Sequence, residues 1–137
     1  NNVSFYVENS LDDLQSAGWM TGPVDFNIEA HDDGNNFSLD QFQAPSAGVY
    51  HFSAQINLQD VAVGARYRID IYVNGVGLVA LNTGYTISTD AWQSYGGSAT
   101  VKLNASDLVE IRVYCDQAYT IGGTSAGYTS FSGHKLY

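Results

Sequence analysis

Residues 48–58 alternate with a period of two: Tyr50, Phe52, Ala54, Ile56 and Leu58 leave one side of an extended chain, and Val49, His51, Ser53, Gln55 and Asn57 leave the other. The first side carries two aromatic rings and has to be covered by another apolar layer. No stretch with helical period is long enough to supply that cover, so a second sheet must do so. Pro45, which has no N–H to give a ladder, and Gly48 bracket the entry to this strand. The alternation recurs downstream. Tyr67, Ile69, Ile71 and Val73 oppose Arg66, Arg68, Asp70 and Tyr72, and Asn74-Gly75 predicts a tight hairpin into a partner strand over 76–81. Ala99, Val101 and Leu103, then Val109, Ile111, Val113 and Cys115, mark two further strands. The pattern predicts an all-β antiparallel jelly-roll sandwich of about ten strands. Its core is expected to include Tyr50, Phe52, Ile56, Ile69, Ile71, Val101, Val109, Ile111 and Phe131.

The remaining segments are less regular. Residues 3–7 read as an opening strand. Ser10 followed by Asp13 has the form of a helix start, which Gly18 ends within two turns. Val24, Phe26 and Ile28 alternate as a strand that runs into a turn cluster over 31–36. Residues 37–44 read as one polar strand with Phe37, Leu39 and Phe42 inward. Residues 83–90 are loose, Trp92 falls in a loop, 119–128 form a Gly/Thr-rich loop, and 129–137 form the last strand. One domain over 1–137 is expected, with no internal repeat.

The formal charge of −9, from 5 basic and 14 acidic residues, argues against a non-specific grip on nucleic acid or anionic lipid, both of which need a basic surface. No apolar run reaches the ~18 residues of a membrane span. Cys115 is the one cysteine, so neither an internal disulfide nor a thiolate metal cluster is expected; within its apolar alternation it reads as a buried hydrophobe. The opening at Asn1, without a basic and apolar leader, reads as that of an excised domain or a processed product.

Catalysis finds little support. His31, His51 and His134 fit no metal spacing, there is no Gly-x-Ser-x-Gly elbow, and the neighbouring acids Asp12/Asp13 and Asp32/Asp33 suit local turn bonding. Two carboxyls adjacent in sequence cannot be the pair held across a glycosidase cleft. A non-enzymatic role is expected. Asp32, Asp33 and Asn35 pack hard oxygen donors into a glycine turn, which makes them calcium candidates, although the full twelve-residue loop is missing. Asp116 and Asp90 are further candidates only if loops of neighbouring chains converge. Ring-bearing loop positions are the candidates for ligand contact: Trp19, Tyr85, Trp92, Tyr95, Tyr119 and Tyr128. Asn2, Asn36 and Asn104 open glycosylation triplets, which matter only in a secretory host.

Several segments, in order, resemble the complement C1q-type globular head domain. They are Phe42-Gln-Ala-Pro45 with Gly48-Val-Tyr-His-Phe52, then Tyr72-Val-Asn-Gly75, then Ser94-Tyr-Gly-Gly-Ser-Ala-Thr-Val-Lys-Leu103, Ala105-Ser-Asp-Leu-Val109 and Ser130-Phe-Ser-Gly-His-Lys-Leu-Tyr137. The match covers roughly residues 37–137; residues 1–36 match weakly and carry an insertion at 10–18. His134 and Lys135 stand where the family has an aromatic and an aliphatic residue, and Ser106 stands where it has a glycine. The resemblance implies a tumour-necrosis-factor-like jelly roll that assembles as a homotrimer. It also implies a secreted, extracellular or particle-surface recognition head that binds a glycan or protein ligand through its loops. No cofactor is required by that family, and several of its members carry calcium. Ten tyrosines fit such a contact role. A trimerisation cap or knob on a longer fibre, such as a phage tail fibre or filament, and a monomeric carbohydrate-binding module with Trp19 and Trp92 as its platform, are the rival readings.

Overall fold

A computed structural model describes residues 2–87, 92–123 and 127–137. Among the described residues the chain forms strands β1 (Ser4–Glu8), β2 (Asp13–Gln15), β3 (Gly18–Trp19), β4 (Ile28–Asp33), β5 (Phe37–Ser38), β6 (Gln41–Gln43), β7 (Gly48–Gln59), β8 (Arg66–Val73), β9 (Val76–Tyr85), β10 (Trp92–Leu103), β11 (Leu108–Cys115), β12 (Tyr119–Gly122) and β13 (Ser130–Lys135). All strand pairs are antiparallel and fall into two sheets. In the first, β7 has β10 on one edge and both β13 and β12 on the other, with β1 and β4 beyond β13 and β2 beyond β12. In the second, the order β9-β8-β11 continues into β6 and β5, and β3 joins the far half of the same β11 edge.

The chain passes repeatedly from one sheet to the other: β7 to β8 and β9, back to β10, across to β11, back to β12 and β13. This is the winding of a jelly roll, and the expected two-layer fold is present. The ring-bearing side of β7 faces the second sheet, with Tyr50, Phe52, Ile56 and Leu58 fully buried. Ile69, Ile71, Val101, Val109, Ile111 and Phe131 are buried with them. At one end, Phe5 meets Phe42 at 5.0 Å and Phe131 at 4.9 Å between ring centres, while Phe42 meets Phe52 at 5.7 Å. Such pairs add about 0.5–1.5 kcal/mol each beyond their buried area. Tyr50 enters this interior because its hydroxyl donates to the Ser46 carbonyl at 2.7 Å.

Two hairpins show the same physics from different sequences. Asn74 and Gly75 have φ of 52° and 80°, the paired left-handed residues expected of a two-residue turn. Leu39 and Asp40, at 52° and 63°, make a second such turn between β5 and β6. The single strand expected over 37–44 is therefore a hairpin, and Leu39 sits at its tip, 88% exposed, not inward. The expected helix after Ser10 is also absent. Ser10 Oγ accepts from Asn27 Nδ2 at 2.7 Å, and Asn9 Oδ1 takes the Leu11 N–H at 2.7 Å, so these side chains bond to turns and not to a first helical turn. A segment this short lacks the length to form a helix on its own.

Other boundaries shift. Val24 and Phe26 are buried as their alternation implies, but they follow the β11 edge without a ladder of their own: Val24 N–H donates to Ile111 O and Phe26 N–H to Asp40 Oδ1. His31, Asp32 and Asp33 lie in β4, not in the turn that follows. β9 extends through Tyr85, β10 begins at Trp92, and residues 119–122, expected in a loop, form the buried β12.

Candidate functional site

The outward face of the β8–β11 sheet gathers most of the chain's cationic charge. Strand alternation sends Arg66, Arg68, Asp70 and Tyr72 outward from β8, and Glu110, Arg112 and Tyr114 outward from β11. Register sets Arg68 opposite Tyr114 and Arg112 opposite Asp70. Asp70 and Glu110 are 3% and 2% exposed, which a lone carboxylate cannot tolerate. Each is paired: Arg68 Nε donates to Asp70 Oδ1 at 3.0 Å, Arg112 Nε to Glu110 Oε2 at 2.7 Å, and Gln41 Nε2 adds a bond to Glu110 Oε1 at 2.8 Å. The hydrogen bond to Asp70 holds the Arg68 guanidinium above its ordinary pKa.

Trp19 completes this face. Gly18, at φ +108°, turns the chain onto the β11 edge. Trp19 then pairs with Tyr114, while Met20 N–H donates to Val113 O at 3.1 Å and its side chain goes inward. The indole stands 5.6 Å from the Tyr72 ring and 5.5 Å from Tyr114, with the Arg68 guanidinium 5.8 Å from its centre and Arg112 4.6 Å over Tyr72. Rings and guanidinium planes hold one another by cation–π attraction. Trp19, Arg66, Arg68 and Tyr114 line a cleft of about 190 Å³. Tyr85, opposite Arg66 in register and 62% exposed, shares the face.

The opposite outer face belongs to the β7 sheet. Trp92, Gln59, Thr120 and Leu14 form one register row, and Trp92 meets Tyr128 edge-on at 5.5 Å. The same sheet carries a buried polar network. Gln59 Nε2 donates to Asn57 Oδ1 at 2.9 Å, Asn57 Nδ2 to Ser94 Oγ at 3.2 Å, and the Asn57 N–H to Thr129 Oγ1 at 3.0 Å. Further along the face, Ser53, Gln55, Gly96, Ser98, Ser130 and Ser132 line a shallow trough of about 490 Å³. Beyond it His51 and His134 stand 5.7 Å apart, with His51 Nδ1 3.2 Å from Thr100 Oγ1.

Of the ring candidates, Trp19 and Tyr85 thus come together on one face and Trp92 and Tyr128 on the other. Two are corrections. Tyr119 lies in β12, 3% exposed, its hydroxyl donating to Val113 O at 3.2 Å, and burial raises its pKa. Tyr95 points toward the interior, stacked 4.1 Å from Tyr67, with its hydroxyl on Gln93 Oε1 at 2.7 Å. Arg66, Arg68, Arg112, Tyr72 and Tyr114 escaped the sequence reading. Their signal was present: cations and rings at the outward positions of β8 and β11.

The calcium candidates do not converge. Asp32 spends both oxygens on its own turn, Oδ1 accepting from Asn36 N–H and Oδ2 from Phe37 N–H, each at 2.9 Å. Asp33 Oδ2 accepts from Ser4 Oγ at 3.2 Å, and Asn35 is an exposed left-handed turn residue. Asp116 Oδ1 accepts the Arg66 N–H at 3.0 Å; Asp90 lies outside the described residues. Among the described residues no three His, Cys, Asp or Glu side chains gather to hold a metal. Ser4, His31 and Asp33 are neighbours, yet the serine donates to Asp33 and His31 Nε2 is 3.4 Å from it, so the acid does not orient the histidine as nucleophile activation requires.

No family model matches the chain, and no curated protein sequence matches it. Solved structures do. The class that the two sheets and their winding define is the antiparallel jelly-roll sandwich. Within that class, the globular domain of zebrafish complement 1qA protein aligns over 98% of both chains at TM-score 0.65 and 20% identity. Eiger TNF from S. frugiperda aligns over 99% of this chain and 93% of its own at TM-score 0.71 and 14% identity, and murine APRIL over 99% and 100% at 0.65 and 14%. The fold is the C1q/TNF-like jelly roll.

Proposed function

We propose that the domain is a non-enzymatic recognition head that assembles as a homotrimer and binds a glycan or protein ligand outside the cell or on a particle surface. The observation that carries this reading is that Trp19 and Tyr85 stand exposed on one outer face and Trp92 and Tyr128 on the opposite one. The β7 sheet face, with its serine-lined trough and the Trp92–Tyr128 pair at one end, suits the packing of a second copy, because small side chains let another chain approach closely and the two rings give apolar anchors. The β8–β11 face is then turned away from the assembly and free to meet a ligand. Its Trp, Tyr and Arg content is that of an interaction surface.

Sedimentation equilibrium tests the assembly: a mass of three chains is expected, weakened by Trp92→Ser. A monomer at every concentration refutes it. Glycan-array binding that is lost in Trp19→Ala, with the trimer intact, supports recognition. A trimer silent across diverse ligands overturns recognition in favour of a fibre cap.

A further inference from the structure

The geometry points to the Trp19 cleft as a site for a single carboxylate-bearing sugar ring of an acidic glycan. The inference rests on the recognition reading above and names the ligand class for one of its two faces. The chain has 5 basic residues against 14 acidic ones, yet Arg66, Arg68 and Arg112 all lie on this face. Arg68 and Arg112 have structural duties to the buried Asp70 and Glu110. Arg66 has none: among the described residues its guanidinium takes part in no hydrogen bond or ion pair, and it lines the cleft beside Trp19. Arg68 engages Asp70 through Nε, and a guanidinium carries five N–H donors, so others remain for a ligand. An exposed, solvated arginine next to an indole and a phenol is a fork aimed at a planar anion.

The size and walls of the cleft choose among anions. At about 190 Å³ it falls below the ~300 Å³ where drug-sized pockets begin, and it admits one ring. Trp19, 39% exposed, and Tyr114 offer apolar aromatic surface to the C–H side of a pyranose. An acidic peptide side chain has the carboxylate without the ring, and a neutral sugar has the ring without the carboxylate. A uronic-type sugar has both. Asp116, whose Oδ1 accepts the Arg66 N–H, is a neighbouring negative charge that limits affinity for any anion.

The test follows the indole N–H signals of Trp19 and Trp92 in NMR titrations of the intact chain with methyl glucuronide, methyl glucoside, acetate and a tetraglutamate peptide. Methyl glucuronide is expected to shift Trp19 and not Trp92, saturating in the millimolar range. Methyl glucoside should bind at least about tenfold more weakly, since a charge-assisted bond is lost. Arg66→Gln should weaken glucuronide binding about tenfold without altering the melting temperature, and Asp116→Asn should tighten it. Equal affinity for glucuronide and glucoside, no effect of Arg66→Gln, or equal competition by acetate or tetraglutamate overturns the inference. Sedimentation on the same samples keeps the two readings apart. A trimer that binds both sugars alike refutes only the acidic class, and a monomer that prefers glucuronide refutes only the trimer.

Discussion

Gly133 of β13 faces the interior between Phe52 of β7 and Phe5 of β1. A Cβ at this position would lie 2.5 Å from Phe52 Cδ1 and 2.8 Å from Phe5 Cε1. Non-bonded carbons settle at about 3.5–4.0 Å, so both rings must retreat by roughly 1 Å. Neither has room. Phe5 is packed at 5.2 Å, 5.0 Å and 4.9 Å against Phe37, Phe42 and Phe131, and Phe52 at 5.7 Å and 5.9 Å against Phe42 and Phe131. Gly133→Ala is therefore expected in the upper part of the overpacking range, about 2–3 kcal/mol. With an unfolding entropy of about 2.1 cal/mol/K per residue, that lowers the Tm of a 137-residue chain by roughly 7–10 °C. Urea unfolding at fixed protein concentration measures the loss. In a Phe52→Leu background, which removes the nearest ring, the penalty should shrink by about 1 kcal/mol. A Tm shift below about 2 °C, or the same penalty in both backgrounds, would refute the packing argument.

Burial, with the neighbouring Cys115 and Asp13 adding to it, raises the Tyr119 pKa above that of an unfolded tyrosine. Above pH ~10 the unfolded chain releases this proton while the native chain keeps it, so stability falls as pH rises toward the native pKa, by about 1.4 kcal/mol per unit; Tyr119→Phe should remove that share of the slope in urea midpoints taken from pH 9 to 11. Asp32→Ala frees the Asn36 and Phe37 N–H groups and should cost about 1–2 kcal/mol in chemical denaturation. Because no three His, Cys, Asp or Glu side chains gather among the described residues, calcium at constant ionic strength should leave the Tm unchanged, and a chelator-reversible rise would contradict this. Arg112→Gln should lower stability by about 1–3 kcal/mol, whereas Arg66→Gln should stay within ~0.5 kcal/mol of the parent in the same measurement.

The fold was legible where burial on one side imposed alternation. β7, β8, β10 and β11 each carry an apolar residue at every second position in their buried stretches, and their core members are where the pattern puts them. It was illegible where the pattern had another cause. Leu39 is apolar yet exposed, because its hairpin is set by two left-handed residues without the Asn-Gly signature. β12 was hidden by Gly122 and Gly123: a Cβ at Gly122 would collide with Asn57 and Gln59, and one at Gly123 with the Asn9 backbone, so these glycines mark close approach inside a structure, not a loop. The rings divided in the same way. Trp19 and Trp92 looked like loop residues because no alternating run surrounds them, and both prove to be strand positions facing outward. Tyr95 and Tyr119 have the same local composition, and only the register of β10 and β12 sends them inward.

The arginine face shows why a site of this kind escapes a linear reading. Asp70 and Glu110 are buried at outward positions of their strands, and each draws an arginine from its own strand, two residues away. Those pairs are a local solution to burying a carboxylate, and they explain Arg68 and Arg112 without reference to a ligand. Arg66 belongs to the same alternating series, yet among the described residues its guanidinium forms no ion pair, while its backbone exchanges bonds with Asp116. Stability gives no reason for a cation there. Trp19 touches Tyr72 and Tyr114 on this face, while the core beneath its short strand β3 is closed by the Met20 side chain. Trp19 and Arg66 line the same cleft, one supplying a flat apolar surface and the other a planar charge that forms no ion pair among the described residues. Their juxtaposition is what separates a binding face from a stabilised one.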